Sequence, residues 1–515
     1  MTQLTEPSIG EDAPSQSTLL PAGPAPWLDR RAWVWITALF VLSRLVWWAL
    51  GLRFVTDALV DHWQFIDISL LRDRLAESLW YLHCQPPLMN LLCGLAVKMG
   101  PAGMVMLNLL FVGLGLIAAL CLYPLLRRLG VGVAFAVVVE VLFLVNPTMV
   151  LYENYLFYSQ PMASLLCLSC WSLDRFLSTG RTRWAAACFW CMAVVVLTRS
   201  MYHLSWLVVM SGAVVLLCPR GLRRRALTMA LLPLLASTAL YAKNKVLFGD
   251  FSATSWMSMS LTKTWNDYVS AADVKALQDR GELSAVASMR PFREIEQYQK
   301  VVPCPPPTGV PVLDNLHKAD GSPNYNHRII PAVSRLYMSD FKVILKRHPK
   351  APLRSQLDSW GSYFRPASEY TYLGLENLKI VAPLEHVYNR VLYLQLGPWP
   401  DKALKKTNPT AYLWGKVKNM SLTVIVTTVF VFLYIPFQTW RLWRSGRKHE
   451  ALLMLFLWLD IAYVSWTANL LEVGENHRYR YEIEPLWTVL LAAGLADLFR
   501  RWRGRKVQPA APGGA

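Results

Sequence analysis

Ten apolar stretches interrupt this chain, and they decide what it can fold into. They are Ala32–Leu52 and the segments near 102–126, 131–150, 161–177, 184–198, 204–218, 226–241, 420–440, 451–471 and 483–499. A bilayer core about 30 Å thick takes about 20 helical residues, so the shorter stretches must tilt or borrow from their flanks. In lipid every backbone amide needs a partner within the protein, and a helix supplies one locally. Composition agrees: 54% of the 515 residues are hydrophobic and 17% charged, too little charge for a soluble chain of this size. The expectation is an all-α polytopic membrane protein with about ten transmembrane helices.

An eleventh apolar segment, Pro87–Met99, follows YLHCQPPL and would be about 20 Å long as a helix, too short to cross. If it does not cross, the basic clusters at Arg30/Arg31, Arg127/Arg128, Arg175/Arg181/Arg183, Arg220/Arg223–Arg225, Arg441/Arg444/Arg447/Lys448 and Arg500–Lys506 all fall on one side. If it crosses, every later cluster changes side, against the excess of Lys and Arg in cytoplasmic loops. A re-entrant or interfacial helix is therefore expected, with its proline pair in the first turn, where amide donors lack intrahelical partners. Both termini are then cytoplasmic. The net charge of +18 is accounted for by short cytoplasmic loops, and no basic run marks a nucleic-acid site.

This topology divides the chain into a polar tail at 1–28, an N-terminal membrane module at 29–241, an extracytoplasmic loop domain at 242–419, C-terminal membrane helices at 420–506 and a Pro/Gly/Ala tail at 507–515. Residues 1–28 are acidic and Pro-rich, unlike a cleaved signal peptide, so Ala32–Leu52 reads as a signal-anchor. The segments 53–86, 242–419 and 472–482, with the neighbourhood of Asn146–Ser159, face the same non-cytoplasmic side. CLSC (167–170) and CFWC (188–191) have zinc-ribbon spacing but lie inside apolar spans, where small apolar packing is the expected role. Cys84 and Cys304 fall outside the membrane, which leaves a disulfide between them open.

Chemistry is expected on that outer face. The first loop carries Asp57, Asp61 and Asp67 among Trp63, Phe65, Trp80 and Tyr81. A carboxylate in such an aromatic, interfacial setting is partly desolvated and suited to general-base work. ENHRYRYEIEP (475–485) places Arg478 and Arg480 on the same side, with Glu472 and Glu475 beside them. Arg44, Glu140, Arg199 and Asp460 are ionisable residues within or near spans and should face the bundle interior and pair.

The acidic residue after the first span, the H-x-PPL segment and RYEIEPLWTVLLAAG (480–494) together resemble the GT-C superfamily of membrane glycosyltransferases. The likeness is nearest to the branch containing protein O-mannosyltransferases and lipid A aminoarabinose transferases. Arg44, LTRS (197–200) and NPTMVLYENYL (146–156) sit where such proteins carry related features. The resemblance covers the first 240 residues and the last 40; residues 242–419 match no known pattern. It implies transfer of a sugar from a polyprenyl-phosphate donor to a glycan, lipid or protein acceptor, with inversion. Asp61 is then the first choice of base for the acceptor hydroxyl and Asp57 the reserve, Arg478, Arg480, His83 and Arg199 are candidates for the donor phosphate, and Glu153 for the acceptor or a metal. A divalent cation shared by Asp57, Asp61 and Glu153 is compatible with this reading, and no other cofactor is implied. A lipid-carrier flippase or transporter, or a non-catalytic subunit of an envelope-glycan complex, is the alternative; no internal repeat favours a transporter.

Overall fold

The computed structural model describes residues 27–507, apart from Trp399 and Lys402. Among the described residues there are helices and three isolated bridges but no β-strand. The polar tails at 1–26 and 508–515 lie outside the described residues.

Among the described residues, five helices are long and apolar enough to cross a membrane: α1 (Ala32–Ala49), α4 (Pro101–Arg128), α10 (Arg220–Phe248), α14 (Leu422–Arg444) and α15 (Lys448–Leu471). A sixth span results if α5 (Val133–Leu144) and α6 (Pro147–Glu153) are taken as one, bent by 49°. Asn146 and Pro147 make that bend: the Asn146 side chain accepts from Thr148 N at 2.9 Å, and the proline opens the new helix. The other expected spans form helices of a different character. α7 (Ser159–Thr179) is long enough but carries serines, Gln160 and Asp174 and is buried on most of its surface. α8 (Thr182–Thr198) and α9 (Leu204–Leu217) have 17 and 14 residues. α17 (Glu484–Val507) has an apolar first half and a basic end.

The short segment is a helix, α3 (Pro87–Lys98), of 12 residues, or about 18 Å. It turns back directly into α4 through Gly100, at φ +62°. The two helices meet so closely that a Cβ on Gly103 would lie 1.9 Å from the Ala96 carbonyl oxygen. Glycine is required there by contact, not by backbone conformation. A second close approach joins α4 to α6: a Cβ on Gly115 would sit 2.1 Å from a Glu153 carboxylate oxygen.

Of the four ionisable residues expected to pair, Arg44, Arg199 and Asp460 find partners and Glu140 does not. Arg44 on α1 holds Glu153 through two bonds of 2.7 Å and donates to the Leu144 carbonyl at 2.6 Å. Arg199 pairs with Glu482, which also accepts from the Tyr202 hydroxyl at 2.9 Å. Asp460 accepts from the Trp206 indole at 3.1 Å. Glu140 is fully buried and, contrary to expectation, neither oxygen has a hydrogen-bond partner among the described residues. All four cysteines of the CxxC pairs are buried and free, as their apolar setting implies, and Cys84 and Cys304 are free as well.

The long loop folds around α11 (Met257–Asn266), α12 (Ile330–Arg347) and α13 (Lys350–Tyr363). Trp256, Tyr298, Tyr325 and Tyr337 belong to the same continuous core as the membrane helices, while Trp265, Val274, Leu277 and Ile344 form a small separate one. Polar clamps fix this region to the first loop. The Asn326 amide oxygen accepts from His83 N at 2.8 Å and Cys84 N at 3.2 Å. Lys318 Nζ donates to the carbonyls of Val60 at 2.8 Å and His62 at 3.2 Å.

Candidate functional site

The first loop, the long loop and the turn before α17 enclose a cavity of about 470 Å³, whose lining includes Asp61, His62, Trp63, Lys263, Glu472, Glu475 and Arg478. Asp61 ends a one-turn helix, α2 (Ala58–Asp61), and Arg478 lies on another short helix, α16 (Asn476–Tyr481). Two ends of the polypeptide more than 400 residues apart in sequence thus share one space.

Arg478 is the most unusual side chain there. It is 3% exposed, and one nitrogen, Nη2, donates to Glu475 at 2.8 Å. Its Nε and Nη1 have no hydrogen-bond partner among the described residues. Three aromatic rings surround the guanidinium: Phe157 at 4.7 Å, Tyr370 at 5.0 Å and Tyr479 at 4.7 Å. Cation–π contact offsets part of the desolvation but does not replace lost hydrogen bonds. Burial alone would raise the Glu475 carboxyl; the charges of Arg478 and Lys263 outweigh it and hold that group below its ordinary range. A buried guanidinium with two free donors is suited to an anion, most directly a phosphate, which accepts in the plane of the fork.

Beside it, His62 packs edge-on against Phe157 and Tyr372, with centroids at 4.9 and 5.0 Å, and its Nε2 meets the Tyr155 hydroxyl at 2.8 Å. Burial first, and then the positive charge of Arg478, push its pKa down to about 4. The imidazole is neutral at ordinary pH and so adds no charge to the cavity. Lys263 reaches both Glu472 oxygens at 3.2 Å. Glu472 and Glu475, which sit beside the arginines in sequence, therefore divide their roles: one neutralises a lysine of the long loop and the other half-neutralises Arg478.

The remaining sequence candidates separate. Asp57 is exposed at the start of α2 and does not line the cavity. Arg480 is buried but turned away: its Nε donates to the Tyr363 carbonyl at 3.1 Å and its Nη2 to that of Arg365 at 3.0 Å. His83 is buried between Ser255 Oγ at 2.8 Å and the Asn326 carbonyl at 2.9 Å, and burial pushes its pKa down to about 3. Its place is in the joint between loops. Arg199 is engaged by Glu482, lies 4.5 Å from the centre of the Tyr479 ring and does not line the cavity. Glu153 faces Arg44, so Asp57, Asp61 and Glu153 do not converge. Among the described residues, three metal-ligating side chains approach within 4.8 Å of one another only at Glu294, Glu296 and His317, outside the cavity.

Lys263, Trp256, Phe292, Tyr370 and Tyr372 line the cavity and all come from the long loop, which carries no motif. The available signal is the density of aromatic residues in SYFRPASEYTYL (362–373), which supplies Tyr370 and Tyr372.

No family model matches the chain, and no curated protein sequence matches it significantly. Among solved structures, the chain is similar to the crystal structure of ArnT from Cupriavidus metallidurans bound to undecaprenyl phosphate. The identity is 12%, over 94% of this chain and 82% of that one, with a TM-score of 0.34.

Proposed function

We propose that this protein is an integral-membrane glycosyltransferase that moves a sugar from a polyprenyl-phosphate-linked donor to an acceptor on the extracytoplasmic face. The observation that carries the reading is Arg478, buried and half-unpartnered in a cavity whose wall also holds Asp61. The donor phosphodiester accepts from a free donor of Arg478, Nε on one edge of the guanidinium or Nη1 on the other. Asp61 takes the proton of an acceptor hydroxyl as that oxygen attacks the anomeric carbon. The bond from the anomeric carbon to the phosphate oxygen breaks with its electron pair on that oxygen. Polyprenyl phosphate then leaves with the charge stabilised by Arg478. A single displacement of this kind inverts the anomeric configuration. The reading includes the ten-crossing arrangement with both termini in the cytoplasm, which the basic clusters support.

The test uses purified full-length protein in detergent with prenyl-phosphate-sugar donors. Asp61→Asn is expected to abolish turnover while retaining binding of farnesyl phosphate, a prenyl phosphate with the same head group. Transfer by Asp61→Asn at the wild-type rate overturns the assignment of the base. Wild-type protein that moves farnesyl phosphate across vesicles without transferring any sugar supports the flippase instead.

A further inference from the structure

Phe292 is one of two non-glycine residues, with Leu394, held at positive φ among the described residues; its value is +59°. For a bulky side chain this left-handed conformation is a strained outlier that persists only when the surroundings enforce it. What the strain achieves is the position of the ring. Phe292 lines the cavity, stacks on Trp63 with centroids 5.5 Å apart and planes at 18°, and is wedged edge-on by Trp256 and Tyr325, each at 5.4 Å. Lys263 Nζ lies 5.3 Å from the same ring. Trp63 remains 39% exposed, so the stack is not a closed core.

Consecutive residues of the first loop point to different aromatic groups. His62 packs with Phe157 and Tyr372, on the Arg478 side. Trp63 packs with Phe292 and Tyr325. Asp61 precedes both, exposed on the cavity wall. The cavity therefore has one end at Arg478, with its two free donors, and another at Trp63 and Phe292, where the nearby Lys263 is already paired with Glu472; the stretch of chain that carries the carboxylate joins them. Uncharged hydrogen-bonding groups, among them Gln64, Ser260 and Thr254, also line it.

From this we infer that Trp63, backed on its other side by Phe292, is a platform for a pyranose ring of the acceptor lying beyond Asp61 from Arg478, and hence that the acceptor is a glycan and not a peptide. A sugar ring presents an apolar C–H face that covers an aromatic plane, while its rim hydroxyls take hydrogen bonds from amide and hydroxyl neighbours. A peptide side chain bearing a single hydroxyl has no such face. The inference rests on the proposed glycosyl transfer for the word acceptor, but the platform is tested without turnover.

Saturation-transfer NMR on purified full-length protein, with methyl pyranosides as probes, reads ring contact directly. Wild type is expected to saturate the ring protons of at least one pyranoside. Phe292→Leu, which keeps apolar volume without a stacking face, and Trp63→Ala are expected to weaken that binding about three- to tenfold, the range of an aromatic stacking contact. Farnesyl phosphate binding is measured in parallel and is expected to stay near wild type, and thermal unfolding confirms that each variant is folded at the temperature used. Retention of pyranoside binding in both variants, or no ring saturation in wild type, overturns the platform. A hydroxyl-bearing peptide that is glycosylated while every oligosaccharide is refused overturns the glycan acceptor. Farnesyl phosphate binding unaffected by Arg478→Gln would instead count against the donor site and leave the platform standing.

Discussion

Arg478 and His62 show how much a single side chain's surroundings decide. Arg478→Lys keeps a positive charge but loses the planar fork and the Nε donor that Phe157, Tyr370 and Tyr479 hold in place. Farnesyl phosphate binding by this variant is expected to weaken by tenfold or more, about the worth of one charge-assisted hydrogen bond; titration calorimetry checks it. His62 has a pKa near 4 when folded against an ordinary 6.5. Between those values the unfolded chain takes up a proton that the folded one refuses. Stability is therefore full above about pH 6.5 and falls as pH drops toward 4. His83, at about 3, and His327, at about 4, act in the same direction. The melting temperature is expected to drop between pH 7 and 5, and less steeply in His62→Phe. A slope identical in that variant would remove His62 from the account. Of these features the sequence made Arg478 and Asp61 legible, through their charge beside aromatic residues at predicted membrane boundaries. It did not separate Arg478 from Arg480, two residues on. That difference arises because the carbonyls of Tyr363 and Arg365, from a distant part of the chain, claim one and not the other.

Helices of this chain were legible where length and apolarity sufficed. The brevity of α3 followed from counting residues between Pro87 and Met99. The polar character of α7 did not, because its serines and Asp174 are sheltered by α4, α8 and α15, and only packing reveals that shelter. The α3–α4 turn gives a direct test. Gly103→Ala places a methyl group on the Ala96 carbonyl, and backbone cannot move aside as a flexible side chain would. The expected loss is about 1–3 kcal/mol, the usual range for overpacking, measured by thermal or denaturant unfolding in detergent. Gly113→Ala, on the same helix with nothing within 4 Å of its Cβ, is the control and should be neutral or slightly stabilising. Equal losses in both would point to helix flexibility instead of close contact.

Over the whole molecule, the long loop is the part that sequence reading left blank. It has no repeat or motif, and its contribution is made by long-range clamps such as Asn326 on His83 and Cys84, which no local pattern encodes. Its side of the membrane can be tested with a native probe. Among nine cysteines, Cys304 alone is not buried. A membrane-impermeant maleimide is expected to label Cys304 in intact cells, whereas Ser445→Cys, at the end of α14, should react only after permeabilisation. The reverse pattern would place the cavity in the cytoplasm, where nucleotide-activated sugars replace the lipid donor.

The crowding of Gly115 by Glu153 ties two distant positions into one evolutionary unit. A methyl group at 115 fits only if the Glu153 side chain swings away, and that carboxylate is what keeps Arg44 neutralised inside the bilayer. Descendants of this sequence that gain alanine at 115 should already have lost both members of the ion pair, in that order. Building the triple replacement Arg44→Leu, Glu153→Ala, Gly115→Ala and comparing its yield with Gly115→Ala alone would expose that historical constraint at the bench.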